Sequence, residues 1–361
     1  MEETDQRAMV VGGSLSGLMA AIALARENVH VTVLEKVSAD RHSGAGLQVD
    51  GPGFGASGTE RLLRNLASGG KRSIQLWSSI ETRLRTEALS YPNVTVQYGQ
   101  RVTAVGEDGA AAWAETGNGR LEADMLVGAD GHRSLVRQYV NPEKPEAEFA
   151  GYLVWIASTD ESALPVHVRP PADAPEVTML DSAGGFLFGS VIQPHEASEG
   201  RRVGCTWYDN SRNDLLRRTG CLDGNVVVHS LAGSDIPEET IDGLARQVRS
   251  GWQDPWKTAM LHALEHRNIT GTPIKEYVPE RLVRGRIALI GDAVHVPAPI
   301  TASGFNASLQ DAVTLGKFAS KGIAGKKACK VLEQYEAARL VKVRKIVQSG
   351  QSYNRSFGLG R

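Results

Sequence analysis

Near its start the chain alternates short apolar runs with turns. Residues 7–11, RAMVV, form a compact apolar run that predicts a buried strand. The next stretch, SGLMAAIALARENV, places its apolar residues at helical spacing, and HVTVLEK then predicts a second strand of β-branched residues ending at Glu35. Together these make a strand–turn–helix–strand unit of βαβ length. Residues 38–58, SADRHSGAGLQVDGPGFGASG, read as a glycine-rich loop, and WSSIETRLRTEAL as a helix. Residues 94–130 read as a meander with turns at 107–109 and 116–118.

The texture changes after about residue 150, where aromatic residues are interleaved with Pro/Gly turns and short strands. GRIALIGDA then brings back a buried strand, followed by a helix from about Ser308 and a long basic helix to about Val347. The last residues, SGQSYNRSFGLGR, are expected to be loose. The expected organisation is α/β, with a Rossmann-like nucleotide-binding domain interrupted by a β-sheet-rich substrate domain and closed by a C-terminal helix. The boundaries drawn from texture are 1–150, 151–272 and 273–361.

Composition narrows the function classes. The 361 residues are ample for two domains, and 40 Lys+Arg against 41 Asp+Glu give a net charge of −1. No basic field points to nucleic acid. Cys205, Cys221 and Cys329 lie far apart, without a C-x-x-C, so neither a dithiol centre nor a thiolate metal site is expected. The N-terminus MEETDQRA is polar and acidic, unlike a signal peptide. No apolar run reaches the roughly 18 residues of a membrane span. A cytoplasmic protein with no membrane partner is the expectation, and a homodimer is possible.

Three constellations carry candidate chemistry. In VVGGSLSGL, Gly12 and Gly17 fill the first and third places of the dinucleotide pattern G-x-G-x-x-G, while Ser14 takes the middle one. Gly12 suits the tight turn and Gly17 the close helix–strand packing. The helix starting near Ser14 offers Leu15, Ser16 and Gly17 N–H groups and a positive dipole end to an anion. Glu35, at the close of the second strand, has the spacing of a ribose-binding acid. A carboxylate there favours the adenosine of FAD or NAD over NADP.

In the second, DMLVGADGHRSLVRQ, a strand delivers Asp130 into a glycine turn at Gly131, at the edge where α/β proteins bind ligands. The third is RGRIALIGDAVHVPAPITASGFN. Gly291 and Asp292 end a strand here, Asp292 is placed to bond polyol hydroxyls, and the helix after Gly304 presents free N–H groups. His295 has no partner at metal-ligand spacing, so a structural role is expected and no metal site is predicted.

These three motifs, in this order and spacing, resemble those of the single-component FAD-dependent aromatic hydroxylases, the flavoprotein monooxygenases of the p-hydroxybenzoate hydroxylase fold. The texture is that of the hydroxypyridine hydroxylases, which are similar at the VVGGS loop and again at AGYLVW, residues 150–155. On that resemblance Gly12, Ser14 and Gly17 would line the FAD pyrophosphate. Glu35 with Lys36 would hold the adenosine end. Arg41, Gly46, Leu47 and Val102 would lie along the cofactor, and Asp292 would bond the ribitol or pyrophosphate. Pro299 would pack near the isoalloxazine, with Gly304, Phe305 and Asn306 at its pyrimidine end. Asp130 and Gly131 would belong to the motif linked to both FAD and the nicotinamide donor.

The activity implied is hydroxylation of a small aromatic or heteroaromatic ring, phenol-like or hydroxypyridine-like, by O2 through a flavin hydroperoxide. NADH or NADPH would be a transient electron donor, since no second glycine-fingerprint βαβ unit is present. The residues leave the catalytic base unassigned. Substrate candidates are Tyr152, Trp155, Trp207 and Tyr208, all of which are also natural core residues. Two departures from the family stand out. Ala302-Ser303-Gly304 replaces the frequent Gly-Gln-Gly, and only 30 positions separate Leu47 from Trp77. They keep two other readings open: an FAD-dependent reductase or dehydrogenase without oxygen insertion, and a degenerate flavin-binding protein.

Overall fold

The computed structural model describes residues 6–38, 46–182, 185–193 and 200–358. Its centre is a six-stranded sheet ordered β18-β19-β9-β1-β2-β5. The strands are β1 (Arg7–Val11), β2 (His30–Glu35), β5 (Val94–Tyr98), β9 (Met125–Gly128), β18 (Val283–Arg284) and β19 (Ile287–Leu289). All neighbours are parallel except the edge hairpin β18–β19. Parallel strands are covered on both faces, which is why β9 and β19 read as continuous apolar runs.

Helix α1 (Leu15–Ala25) is buried at every position but Ser16. It is sandwiched between the sheet, α3 (Trp77–Ser90) and α8 (Gly304–Ala319), so an apolar face all round is what its place requires. Between β2 and α3 the chain forms β3 (Gly46–Val49), α2 (Gly58–Ser68) and β4 (Ser73–Leu76), with β3 and β4 paired as an antiparallel ribbon. The expected loop thus contains a strand and opens a helix. α2 is capped by Ser57, whose side chain accepts from Glu60 N–H, and it stops at Gly69 with φ +67°.

Of the meander expected over 94–130, only β6 (Val102–Glu107), β7 (Ala112–Thr116) and β8 (Gly119–Ala123) form one, as a separate three-stranded sheet, while β5 and β9 pair in parallel within the central sheet. It leads into β9 and the short α4 (Leu135–Val140).

The second layer is an antiparallel sheet built on the 13-residue β10 (Glu148–Asp160). β10 is flanked by β13 (Arg202–Asp209) and β17 (Ile269–Glu276), with β11 (Val177–Ser182) and β12 (Gly185–Ile192) extending the β13 side. The two-residue strands β14 (Leu222–Asp223), β15 (Val226–Val227) and β16 (Leu231–Ala232) finish it. The sheet therefore spans Glu148 to Glu276, slightly wider than the textural boundaries.

Side chains alternate along β10. Leu153, Trp155 and Ala157 enter a core with α5 (Asn213–Arg218), α6 (Glu238–Gly251) and α7 (Trp256–Glu265). Tyr152 and Val154 enter an aromatic cluster on the other face.

The C-terminus departs from expectation. α8 begins at Gly304, four residues before Ser308, and α9 (Lys327–Tyr353) runs past Val347. A further turn at 354–358 follows, and residues 349–358 of the segment expected to be loose are packed. Tyr353 and Phe357 stack with ring centroids 5.3 Å apart and meet Tyr152 edge-on. Asn354 links Tyr152 Oη (2.9 Å) to the carboxylate of Glu276 (2.7 Å). Aromatic contacts with a distant strand order this end, and local sequence does not carry that information.

Candidate functional site

The β1–α1 turn depends on glycine at two positions. Gly12 has φ +104°, and a Cβ there would sit 2.4 Å from Ala129 O; on Gly17 it would sit 1.9 Å from Gly12 O. Ser14 is the N-cap of α1 but makes no side-chain capping bond, so the first N–H groups of the helix lack that satisfier. Glu35 is buried. Its carboxylate accepts from Gly13 N–H at 2.7 Å and Val37 N–H at 3.0 Å, tying the end of β2 to the turn. Lys36 follows it on the exposed side.

The second motif is organised inward. Asp130 accepts from Ser134 Oγ (2.5 Å), Leu135 N–H (2.8 Å) and Val136 N–H (3.2 Å), so its carboxylate caps α4. Gly131, with φ +82°, turns the chain there. Arg137, on α4, is fully buried. It stacks over Tyr277 and donates to the carbonyls of His132, Pro145 and Ala293. It thereby fastens the Asp130 turn to the Gly291–Ala293 turn.

Asp292 sits on that last turn. It is exposed to solvent, although the surrounding chain crowds its carboxyl. Desolvation raises its carboxyl above the usual aspartate value, against the pull of His295, Lys275 and Arg137. Lys275 on β17 faces the same space. Desolvation lowers its ammonium to about 8, with Asp292 opposing and Arg133 assisting. His132 is lowered to about 3 by desolvation and then by Lys275, Arg137, Arg133 and Lys36. The cleft beside Asp292 is thus electropositive, with a neutral imidazole in its wall.

The third motif closes the groove. Gly291, with φ +59°, lies against Ser16 at the start of α1 and Ser308 on α8, so both helices meet at this turn. Beneath it are fully buried His295 and Asp311. Asp311 accepts from His295 Nε2 (2.6 Å), Gly291 N–H (3.0 Å) and Arg339 Nε (2.8 Å). His295 is thus held within a buried polar network. Asp311 and Arg339 were missed, because a charged residue within an amphipathic helix reads as surface. Among the described residues, no three His, Cys, Asp or Glu side chains form a group that could hold a metal.

Pro299 and Ile300 lie on the turn leading into α8, with Ile300 against the aromatic cluster and Ala302 at φ +47°. Ser303, the N-cap of α8, also makes no capping bond, and its hydroxyl pairs with Thr301 Oγ1 at 2.6 Å. Gly304, Phe305 and Asn306 form the first turn of α8. The Asn306 side chain donates to Asp50 (3.0 Å) and accepts from Arg64 (3.0 Å), latching α8 to the residue after β3 and to α2. Beside this turn opens a cavity of about 370 Å³, lined by Gln48, Asp50, Arg72, Ser303, Gln310 and Ile346 among others.

Gly46 and Leu47 begin β3, and Val102 begins β6. Arg41 lies outside the described residues. The four aromatic substrate candidates are all buried and fall on two faces of the substrate sheet. Trp155 and Trp207 belong to the helix-covered core, where Trp155 Nε1 donates to Asp209 at 3.0 Å. Tyr152 and Tyr208 belong to the aromatic cluster. None of the four lines the 370 Å³ cavity.

These features fit FAD. A glycine turn that a Cβ would block, two converging helix N-termini without capping side chains, a carboxylate in a cleft and cations beside it match a pyrophosphate, a polyol and a polar ring edge.

Comparison with known proteins bears on the same groove. The FAD binding domain family matches residues 64–350, and an NAD(P)-binding Rossmann-like domain matches residues 10–46. An FAD-dependent urate hydroxylase of Klebsiella oxytoca is 28% identical, covering 94% of this chain and 88% of the relative. A 2,6-dihydroxypyridine 3-monooxygenase of Paenarthrobacter nicotinovorans is 25% identical over 89% and 84%. Among solved structures, 2,6-dihydroxypyridine-3-hydroxylase from Arthrobacter nicotinovorans superposes with a TM-score of 0.78 at 22% identity, covering 99% of this chain and 94% of that one. HpxO of Klebsiella pneumoniae, complexed with FAD and uric acid, gives a TM-score of 0.69 at 21% identity, covering 98% and 89%.

Proposed function

The chain belongs to the FAD binding domain family, and from that premise we propose that it is an FAD-dependent monooxygenase. It hydroxylates a small aromatic or heteroaromatic ring with O2, using NADH or NADPH as electron donor. The observation that carries this reading is the meeting of α1, α8 and the Asp292 turn at one groove, with Gly291 lying against Ser16 and Ser308.

FAD, when bound, supplies the redox chemistry by accepting reducing equivalents from the donor and activating dioxygen. The protein supplies placement and electrostatics. The N–H groups at the start of α1, with the Ser14 hydroxyl, hold the pyrophosphate, and Asp292 bonds the polyol hydroxyls. The N-terminus of α8 stabilises negative charge at the polar edge of the ring. Lys275, Arg133 and Lys36 hold anionic groups in the cleft. Ile300 and the aromatic cluster place apolar surface beside the reacting region, which keeps water away.

The reading is tested by the visible spectrum of purified protein after adding FAD and removing the excess. A retained oxidised-flavin spectrum, together with NAD(P)H oxidation stimulated by phenols or hydroxypyridines, supports it. A protein that cannot retain FAD refutes it.

A further inference from the structure

Phe54 projects wholly into solvent, with a relative accessibility of 111%, the highest of any large apolar residue among those described. It stands on the loop GPGFGA, residues 51–56, which runs from Asp50 after β3 to Ser57, the N-cap of α2. Ala56 N–H donates to Gly53 O at 3.3 Å and Gly55 takes φ +78°. Phe54 and Gly55 are thus the two corners of a tight turn, with glycine at the corner that needs a positive φ. A Cβ on Gly53 or Gly55 would meet nothing within 4 Å, so the backbone on both sides of Phe54 stands clear of the rest of the chain.

Both ends of the loop are fixed. Asp50 accepts from Asn306 Nδ2 at 3.0 Å, and Ser57 Oγ accepts from Glu60 N–H at 3.0 Å. Gly51 is packed as well, since a Cβ there would lie 2.6 Å from Gly70 O. The freedom of the loop is therefore confined to its tip, residues 53–55.

The fixed end is the rim of the 370 Å³ cavity, which Asp50 lines together with Ser303, Asn306 and Gln310 of the α8 N-terminus. On the FAD reading that cavity takes the polar edge of the flavin ring. Four residues of chain reach about 13 Å when extended, enough to lay the Phe54 ring over the cavity from Asp50. Ile300 and the aromatic cluster supply apolar surface on one side of this region. The rim on the other side carries Gln48, Asp50 and Arg72, all polar. An aromatic ring across that rim completes the exclusion of water.

We infer that Phe54 is the cover of the flavin site, its 53–55 tip folding over the cavity when FAD is bound. Coupled turnover converts NAD(P)H, a proton, O2 and the substrate ring into NAD(P)+, the hydroxylated ring and water. In an uncovered site the same NAD(P)H, proton and O2 yield NAD(P)+ and hydrogen peroxide, and the ring is left unchanged. Phe54 decides between these outcomes by position, without taking part in the chemistry. This assignment rests on the monooxygenase reading and deepens it.

Chymotrypsin, which cleaves after aromatic residues, reads the tip directly. Cleavage between Phe54 and Gly55, identified by fragment mass, is expected to slow about tenfold when FAD is bound. Phe54→Ala should keep the wild-type melting temperature without FAD, because the ring is fully exposed. With a phenol or hydroxypyridine that the wild-type chain hydroxylates, the same variant should release about threefold more hydrogen peroxide per NAD(P)H consumed. Phe54→Tyr, which retains the ring, should restore the wild-type yield. Cleavage at Phe54 as fast with FAD as without it, or a wild-type peroxide yield in Phe54→Ala, overturns the cover and leaves the monooxygenase intact. Failure to retain FAD, or to hydroxylate any ring, overturns the underlying reading and this assignment with it.

Discussion

His295 Nε2 lies 2.6 Å from Asp311 Oδ2 with both side chains fully buried, and the same carboxylate holds Gly291 N–H and Arg339 Nε. One side chain on α8 thus joins the Gly291–Ala293 turn, the loop after it and α9. Replacing Asp311 with Asn leaves Arg339 a buried guanidinium without its counter-charge. The expected loss is about 3–5 kcal/mol of stability, read by denaturant unfolding. A change under about 1 kcal/mol would show that the carboxylate is replaceable.

The same residue sets an acid sensitivity. Burial alone would raise the Asp311 carboxyl, but His295, Arg339 and Gly291 N–H outweigh it and hold the pKa below 3.8. A carboxyl depressed in the folded state stabilises the fold above its unfolded pKa, and that stability is lost as pH falls through the folded value. Acid unfolding below the ordinary 3.8 should therefore be shallower in Asp311→Asn than in the wild-type chain. Identical acid transitions would contradict this.

Gly12→Ala puts a Cβ 2.4 Å from Ala129 O at a positive φ. Strain of about 1–3 kcal/mol is expected, together with loss of retained FAD, since the turn must shift where the pyrophosphate approaches. Melting temperature and visible absorbance, measured on the same sample, check both halves.

Lys275 should give the cleft a pH step. Its ammonium is lowered to about 8, so it is charged below that pH and neutral above it. The KM for the nicotinamide donor should rise as pH increases from about 7 to about 9, and Lys275→Met should start high and stay flat across that range. A wild-type profile with no inflection there would remove Lys275 from donor binding.

Tyr152 and Tyr353 are neighbours with opposite expectations. Tyr152 Oη donates to Asn354 Oδ1 at 2.9 Å, whereas the Tyr353 hydroxyl is buried with no hydrogen-bond partner among the described residues. Tyr152→Phe should cost about 1–2 kcal/mol, while Tyr353→Phe should be neutral or stabilising. Thermal unfolding of the two variants separates them.

These residues also show where sequence reading succeeds and where it stops. The β1–α1–β2 unit was legible because Gly12, Gly17 and the apolar spacing of α1 are local signals. The Gly291-Asp292 turn was legible at the end of its apolar strand for the same reason. The His295–Asp311–Arg339 chain was not, because its partners lie 16 and 28 positions apart and only tertiary packing buries them. Nor could Tyr152 and Trp155 be assigned to one face or the other, since β10 is buried on both sides and its alternation carries no polar mark. The ordered end at Tyr353–Phe357 depends on Tyr152 and Phe186, which are distant in sequence.

The central claim is oxygen insertion, and the direct measurement is mass spectrometry of the product formed under isotopically heavy dioxygen. FAD-loaded protein, NAD(P)H and a hydroxypyridine or phenol substrate supply the reaction. A hydroxylated ring carrying one heavy oxygen, formed in step with the NAD(P)H consumed, is the predicted result. NAD(P)H oxidation that yields an unhydroxylated ring, or a hydroxyl derived from water, would contradict it.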